Sequence, residues 1–173
     1  MQTSISVLRR RLSASCRQIH TVCSAVFLTA ACLLTGAAMA HGDVTPQSVN
    51  TTTLPPLGEK WLPANPYSKG PAHAEALRIG TSAYNQNCAR CHGLEAISGG
   101  IAPDLRKMDG DCMSLADEAK KMACYQETDE FFLGTVRRGR VRDGRVYMPP
   151  FEGILNQEAV WSIKTYLETR REP

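Results

Sequence analysis

Cys88-Ala89-Arg90-Cys91-His92 constrains this chain more than any other stretch, because it sets two thiols one helical turn apart and an imidazole directly after the second. A thioredoxin-like redox pair uses the same spacing but needs a βαβ context, and a zinc knuckle needs a second, similarly spaced pair. Neither context surrounds these residues, since Cys112 and Cys124 are separated by 11 residues. The reading that uses all three side chains is covalent haem attachment: each thiol adds to a vinyl group and the histidine is held under the iron. One covalently bound haem c is therefore the expected cofactor.

The ends of the sequence say where such a protein works. Residues 1–40 hold Arg9, Arg10, Arg11 and Arg17, no acid, an apolar run from Val22 to Leu34, and the small-residue end Ala38-Met39-Ala40. That is the layout of a secretory signal, expected to be cleaved after Ala40 rather than kept as a membrane anchor. The expected location is the periplasm. Cleavage removes four arginines and leaves 16 basic against 17 acidic side chains, net −1 with histidines neutral. The basic balance of the full chain thus gives no reason to expect nucleic acid as a partner. It also removes Cys16, Cys23 and Cys32, leaving four cysteines in an oxidising compartment. Cys112 and Cys124 are expected to form a disulfide, the alternative being two free thiols.

The remainder divides into an extended Pro-rich arm, 41–70, and one domain, 71–173. Leu54-Pro55-Pro56, Trp61-Leu62-Pro63 and Asn65-Pro66 disfavour helix in the arm. Its Leu54, Leu57, Trp61, Leu62 and Tyr67 favour partial packing over a solvated tether. A helix is expected to begin near Pro71 and run to Asn87 or beyond, with Ala76, Gly80, Tyr84 and Cys88 in one line. A glycine in a helix interior costs about 1 kcal/mol against alanine, so Gly80 suggests that another backbone comes close there. The last helix, capped by Asn156 and running to about Arg170, places Ala159, Val160, Ile163, Tyr166 and Leu167 on one face. Two further helices are expected between them, Leu115 to Met122 behind a Ser114 capping box, and one capped by Thr128 and ending at Gly139. Val141-Arg142-Asp143-Gly144-Arg145-Val146 carries a tight-turn signal. The class is all-α.

His92 is the expected proximal iron ligand. For the distal position Met148 stands out, because Met148-Pro149-Pro150-Phe151 is a stiff strap just before the final helix. Met108, Met113 and Met122 are read as core filler or surface residues. His41 and His73 are the alternative ligands, with surface roles expected for both.

In motif order the chain resembles the single-haem class I cytochromes c. The resemblance is carried by Gly80-x-x-x-Tyr84-x-x-x-Cys88-x-x-Cys91-His92-Gly93, Ala102-Pro103-Asp104-Leu105, Met148-Pro149-Pro150-Phe151 and the closing helix. It implies crossed N- and C-terminal helices around the haem, a Pro103 carbonyl accepting from His92, and Leu105 packed on the haem. More narrowly, Asn65-Pro66-Tyr67, the Cys112 to Cys124 insertion and the segment Gly134 to Val141 look like the soluble cytochromes that accept electrons from PQQ-dependent alcohol dehydrogenases. That implies a one-electron carrier, a soluble monomer with no catalytic residues. Its donor would be a quinoprotein alcohol dehydrogenase, and a terminal oxidase or another cytochrome its acceptor. A haem subunit of another periplasmic dehydrogenase complex is the alternative. A haem peroxidase is disfavoured, because a Met148 strap would close the position that peroxide needs. Arg137, Arg138, Arg140, Arg142 and Arg145 either steer an acidic partner or form a solvated helix end and turn with an arginine on a haem propionate.

Overall fold

The structure is a computed structural model that describes residues 45–172. The signal, its cleavage after Ala40 and the alternative ligand His41 lie outside the described residues. In chain order the elements are α1 (His73–Asn87), α2 (Ala89–His92), α3 (Gly110–Met113), α4 (Glu118–Arg138), β1 (Arg140–Arg142), β2 (Arg145–Met148) and α5 (Gln157–Glu168), with 3₁₀ turns at Leu94–Ala96 and Leu105–Lys107.

α1 and α5 cross at the point that Gly80 suggests. A Cβ on Gly80 would lie 1.8 Å from the Ser162 carbonyl oxygen and 2.4 Å from its carbon. Only a residue without a side chain lets the two backbones approach that closely. Around the crossing, Ala76, Ile79, Ala83 and Tyr84 of α1 meet Ala159, Val160, Ile163 and Tyr166 of α5 in one core. The Tyr84 and Tyr166 rings stand 4.9 Å apart, tilted against each other.

α1 begins at His73, two residues after Pro71, and α5 ends at Glu168, two before Arg170. The expectations for the helices between them need correction. The two helices expected between Leu115 and Gly139 are one continuous helix of 21 residues. Asp117, not Ser114, caps it, accepting from the Lys120 amide at 2.9 Å. Thr128 caps nothing: its hydroxyl donates to the Cys124 carbonyl one turn back at 3.0 Å, so the helix passes through it. No proline or glycine between Glu118 and Phe132 interrupts the ladder. The tight turn is present, as the antiparallel hairpin β1–β2.

α5 is also not the one-sided helix its apolar pattern suggests. Gln157, Glu158, Ser162, Lys164 and Thr165 are buried with the apolar stripe. The arm covers Gln157, Glu158 and Thr165. Asn156 Nδ2 donates to Thr51 Oγ1 at 2.7 Å, Glu158 Oε1 accepts from the Leu57 amide at 2.7 Å, and Gln157 Oε1 accepts from the Leu62 amide at 2.9 Å. Leu54 and Tyr67 enter the core itself.

Lys164 is fully buried, and a buried charge persists only when paired. Its ammonium lies 3.0 Å from Asp129, 3.3 Å from Asp109 and 3.6 Å from Glu168. Asp129 also accepts from the Asn65 amide at 2.8 Å, and Asp109 from Arg171 at 2.5 Å. One ion cluster thus ties the arm, the segment before α3, α4 and α5 together.

The crossing gives a prediction of sign. Alanine favours a helix over glycine by about 1 kcal/mol, but a methyl pressed on a carbonyl cannot escape by a rotamer change, and overpacking costs about 1–3 kcal/mol or more. Gly80→Ala should therefore lower the unfolding free energy of the holoprotein in a denaturant titration by about 2 kcal/mol. A stabilised variant would contradict the crossing.

Candidate haem site

The site grows out of the end of α1. The Cys88 amide donates to the Tyr84 carbonyl at 2.8 Å, and the His92 amide to the Cys88 carbonyl at 3.0 Å. These bonds carry the chain through one more turn, α2, which presents Cys88, Cys91 and His92 to the same cavity. Gly93 then ends the turn with φ +78°, where a Cβ would overlap the Ile97 carbonyl oxygen at 1.8 Å. The Tyr84 hydroxyl donates to the Gly93 carbonyl at 2.8 Å, which pins the exit of the motif to the helix crossing. Burial, with a smaller contribution from Cys88, pushes the Tyr84 phenol up from its ordinary value, so it remains a donor.

The Nδ1 atom of His92 lies 2.9 Å from the Pro103 carbonyl oxygen. A carbonyl only accepts, so Nδ1 carries the proton, and the Nε2 lone pair is the one left for a metal. Met148 closes β2 and leads into Pro149 and Pro150. The strap is fastened behind it: the Phe151 amide donates to the Val136 carbonyl at 3.0 Å and the Glu152 amide to the Arg137 carbonyl at 3.2 Å. These carbonyls belong to the last turn of α4, where a helix leaves acceptors without internal partners. Arg137 pairs with Glu152 and stacks over Trp61 at 4.6 Å, adding the arm to the same anchor.

The cavity has a volume of 810 Å³ and is walled by Cys88, Cys91, His92, Pro103, Leu105 and Met148, among others. Every residue expected at the haem therefore faces one space, whose size falls in the range of roughly 300 to 1,000 Å³ usual for ligand pockets. His73 does not: its Nδ1 is 2.8 Å from the Tyr67 carbonyl oxygen, on the arm. Met113 and Met122 are exposed, while Met108 reaches the cavity beside Leu105.

Cys112 and Cys124 are joined by a disulfide, with Cα atoms 5.5 Å apart. Cys88 and Cys91 are paired with no other described cysteine, and both line the cavity. Among the described residues no group of three or more His, Cys, Asp or Glu is placed to hold a metal ion by itself. The set of two thiols, one oriented imidazole, one thioether and an apolar wall fits haem c.

The sequence reading did not find the α4 wall. Cys124, Thr128, Phe132 and Thr135 all line the cavity, so the disulfide is attached to the site's wall. Their spacing of 4, 4 and 3 residues is a helical stripe, hidden once the helix was divided at Thr128.

A family model described as cytochrome c oxidase, cbb3-type, subunit III, matches residues 75–167. Cytochrome c550 of Pseudomonas aeruginosa is 48% identical over 151 residues, covering 87% of this chain and 94% of that protein. Two quinohemoprotein alcohol dehydrogenases of Pseudomonas putida, ADH-IIG and ADH IIB, are 35% and 32% identical over 95 and 99 residues. Those matches cover 55% and 57% of this chain but only 11% and 12% of the enzymes. No solved structure matches the chain significantly. The chain belongs to the cytochrome c family. It is a cytochrome c550-like electron carrier with covalently bound haem c, and not an enzyme.

The strap supplies a prediction. Gly139 ends α4 at φ +68°, ψ −164°, and a Cβ there would lie 2.3 Å from the Met148 carbonyl oxygen and 2.8 Å from Pro149. A non-glycine residue in this backbone region costs about 1–3 kcal/mol before the overlap is counted. Gly139→Ala should lower thermal stability by several degrees, whereas Gly144→Ala, equally left-handed at φ +72° but with open space around it, should cost less.

Proposed function

We propose that the chain is an exported, single-haem class I cytochrome c, working as a soluble monomer in the periplasm after removal of residues 1–40. Cys88 and Cys91 would hold the haem through thioether bonds, and His92 and Met148 would ligate its iron. Pro103 orients His92, Leu105 packs on the haem, and the 71–173 domain with its arm makes one unit. When bound, haem supplies a site that gains and loses one electron.

The observation that carries this reading is the Nδ1 contact of His92 with Pro103 on one wall of the cavity, while Met148 lies on the same space, held by a strap fastened to α4. The chain's own residues do the tuning. The carbonyl of Pro103 fixes the imidazole's tautomer and raises its basicity. A thioether ligand from Met148 would raise the potential, as suits a carrier that collects electrons. With His92 and Met148 both on the iron no position would remain for peroxide, so no peroxidase chemistry is expected. Among the described residues no helix is long and apolar enough to cross a membrane.

Replacing Met148 by alanine should abolish the near-infrared absorption band of methionine ligation in the oxidised protein and lower the reduction potential. Met108→Ala should leave both in place. The opposite result would make Met108, which shares the cavity, the ligand.

The donor reading rests on similarity to the quinohemoprotein alcohol dehydrogenases. The donor is a PQQ-dependent alcohol dehydrogenase, and the acceptor a terminal oxidase or another cytochrome. Stopped-flow mixing of oxidised protein with quinoprotein alcohol dehydrogenase and alcohol should give reduction on the timescale of turnover. Reduction by ascorbate but not by the dehydrogenase would leave a carrier serving another periplasmic dehydrogenase.

A further inference from the structure

The hairpin β1–β2 carries two arrangements that cost the free domain stability. Its register sets Arg142 directly opposite Arg145, and like charges across a strand pair repel. The one acid at the tip, Asp143, reaches Arg142 only at 3.8 Å, with both side chains mostly exposed. On the next rung Val141 faces Val146, each 65% exposed, and Tyr147 beside them is 62% exposed. A two-stranded ribbon is marginal on its own, and this one offers its apolar pair to water. The neighbouring arginines are already engaged: Arg137 with Glu152 and Trp61, and Arg140 with Thr135 and Phe131. Arg142 and Arg145 are the two of that basic run left at the tip.

The segment 140–147 thus holds three cations and one anion, in a chain whose residues 41–173 are otherwise weakly acidic. It is also mechanically joined to the site, because β2 ends in Met148 and Tyr147 and Arg140 line the cavity. Exposed cations on one face of the ribbon tip and an exposed valine pair on the other, in the hairpin that leads to the cavity, match a partner of opposite charge with an apolar patch.

We propose that the tip of the β1–β2 hairpin is the surface on which this carrier receives the protein that gives it electrons, a redox protein presenting carboxylates beside a small apolar patch. The arginines steer the encounter, and Val141 and Val146 supply the contact. The area is small, as befits a partner that must leave after each electron. The proposal rests on the electron-carrier reading, with Met148 at the iron, and its test separates the two.

The test compares holoprotein with Arg142→Glu/Arg145→Glu and with Val141→Thr/Val146→Thr, which keeps β-branched residues. Against small reagents at low ionic strength, charge reversal should slow reduction by anionic hexacyanoferrate(II) several-fold and speed reduction by cationic hexaammineruthenium(II). The differences should vanish at high salt. The Val double variant should match wild type with both. Against quinoprotein alcohol dehydrogenase, charge reversal should lower the second-order rate several-fold. The Val variant should raise the carrier concentration needed for half-maximal rate.

Unchanged rates with both small reagents would overturn the proposal, by showing that electrons do not enter past the hairpin. Unchanged dehydrogenase rates in both variants would also overturn it, and would suit a surface reserved for the acceptor. If the dehydrogenase fails to reduce wild type while the small-reagent pattern holds, the donor assignment fails and the surface stands.

Discussion

Gly80 and the Ser162 carbonyl meet at a distance that no side chain would permit, and the rest of the domain is arranged around that contact. It brings Tyr84 over Tyr166 and places the end of α1 beside the core. From there the Tyr84 hydroxyl reaches Gly93, so the turn bearing Cys88, Cys91 and His92 leaves the crossing in a set direction. The far wall has its own anchor, the two strap amides on the last carbonyls of α4. The cavity lies between these two anchored walls.

Much of this could be read from residue types. Gly80 stood out as an interior glycine with no local reason, and a close backbone is the physical reason. Cys88, Cys91 and His92 stand out because covalent attachment demands one spacing, and Met148 because two prolines after it stiffen the backbone; the fold brings all four to one cavity. What could not be read was the status of polar residues. Gln157, Glu158, Lys164 and Thr165 have the composition of a solvent face, yet they are buried because the arm and the segment at Asp109 lie over them. A single helix's periodicity reports its apolar stripe. It carries no information about a polar cover contributed from 100 residues away.

The error at Thr128 has a related origin. Threonine before Asp129 and Glu130 has the chemistry of a helix start, and in isolation the segment would support one. The same hydroxyl is equally satisfied by the carbonyl one turn back, and the residues from Glu118 onward propagate a helix without interruption. Local signals at such a position are degenerate, and packing of the continuous stripe Cys124, Thr128, Phe132 and Thr135 on the cavity decides between them.

The arm has a consequence in time. Its hydrogen bonds to α5 join residues separated by 95 to 105 positions, from Thr51 with Asn156 to Asn65 with Thr165. A chain made N-terminus first therefore delivers the arm long before the helix it must cover. Until Lys164 and its three acidic neighbours come together, the segment holding Cys88 and Cys91 lacks its closing partner, and contacts this distant in sequence form slowly. The topology thus leaves an interval in which the two thiols are made but not yet enclosed, and that interval is when a cofactor can still be joined to them.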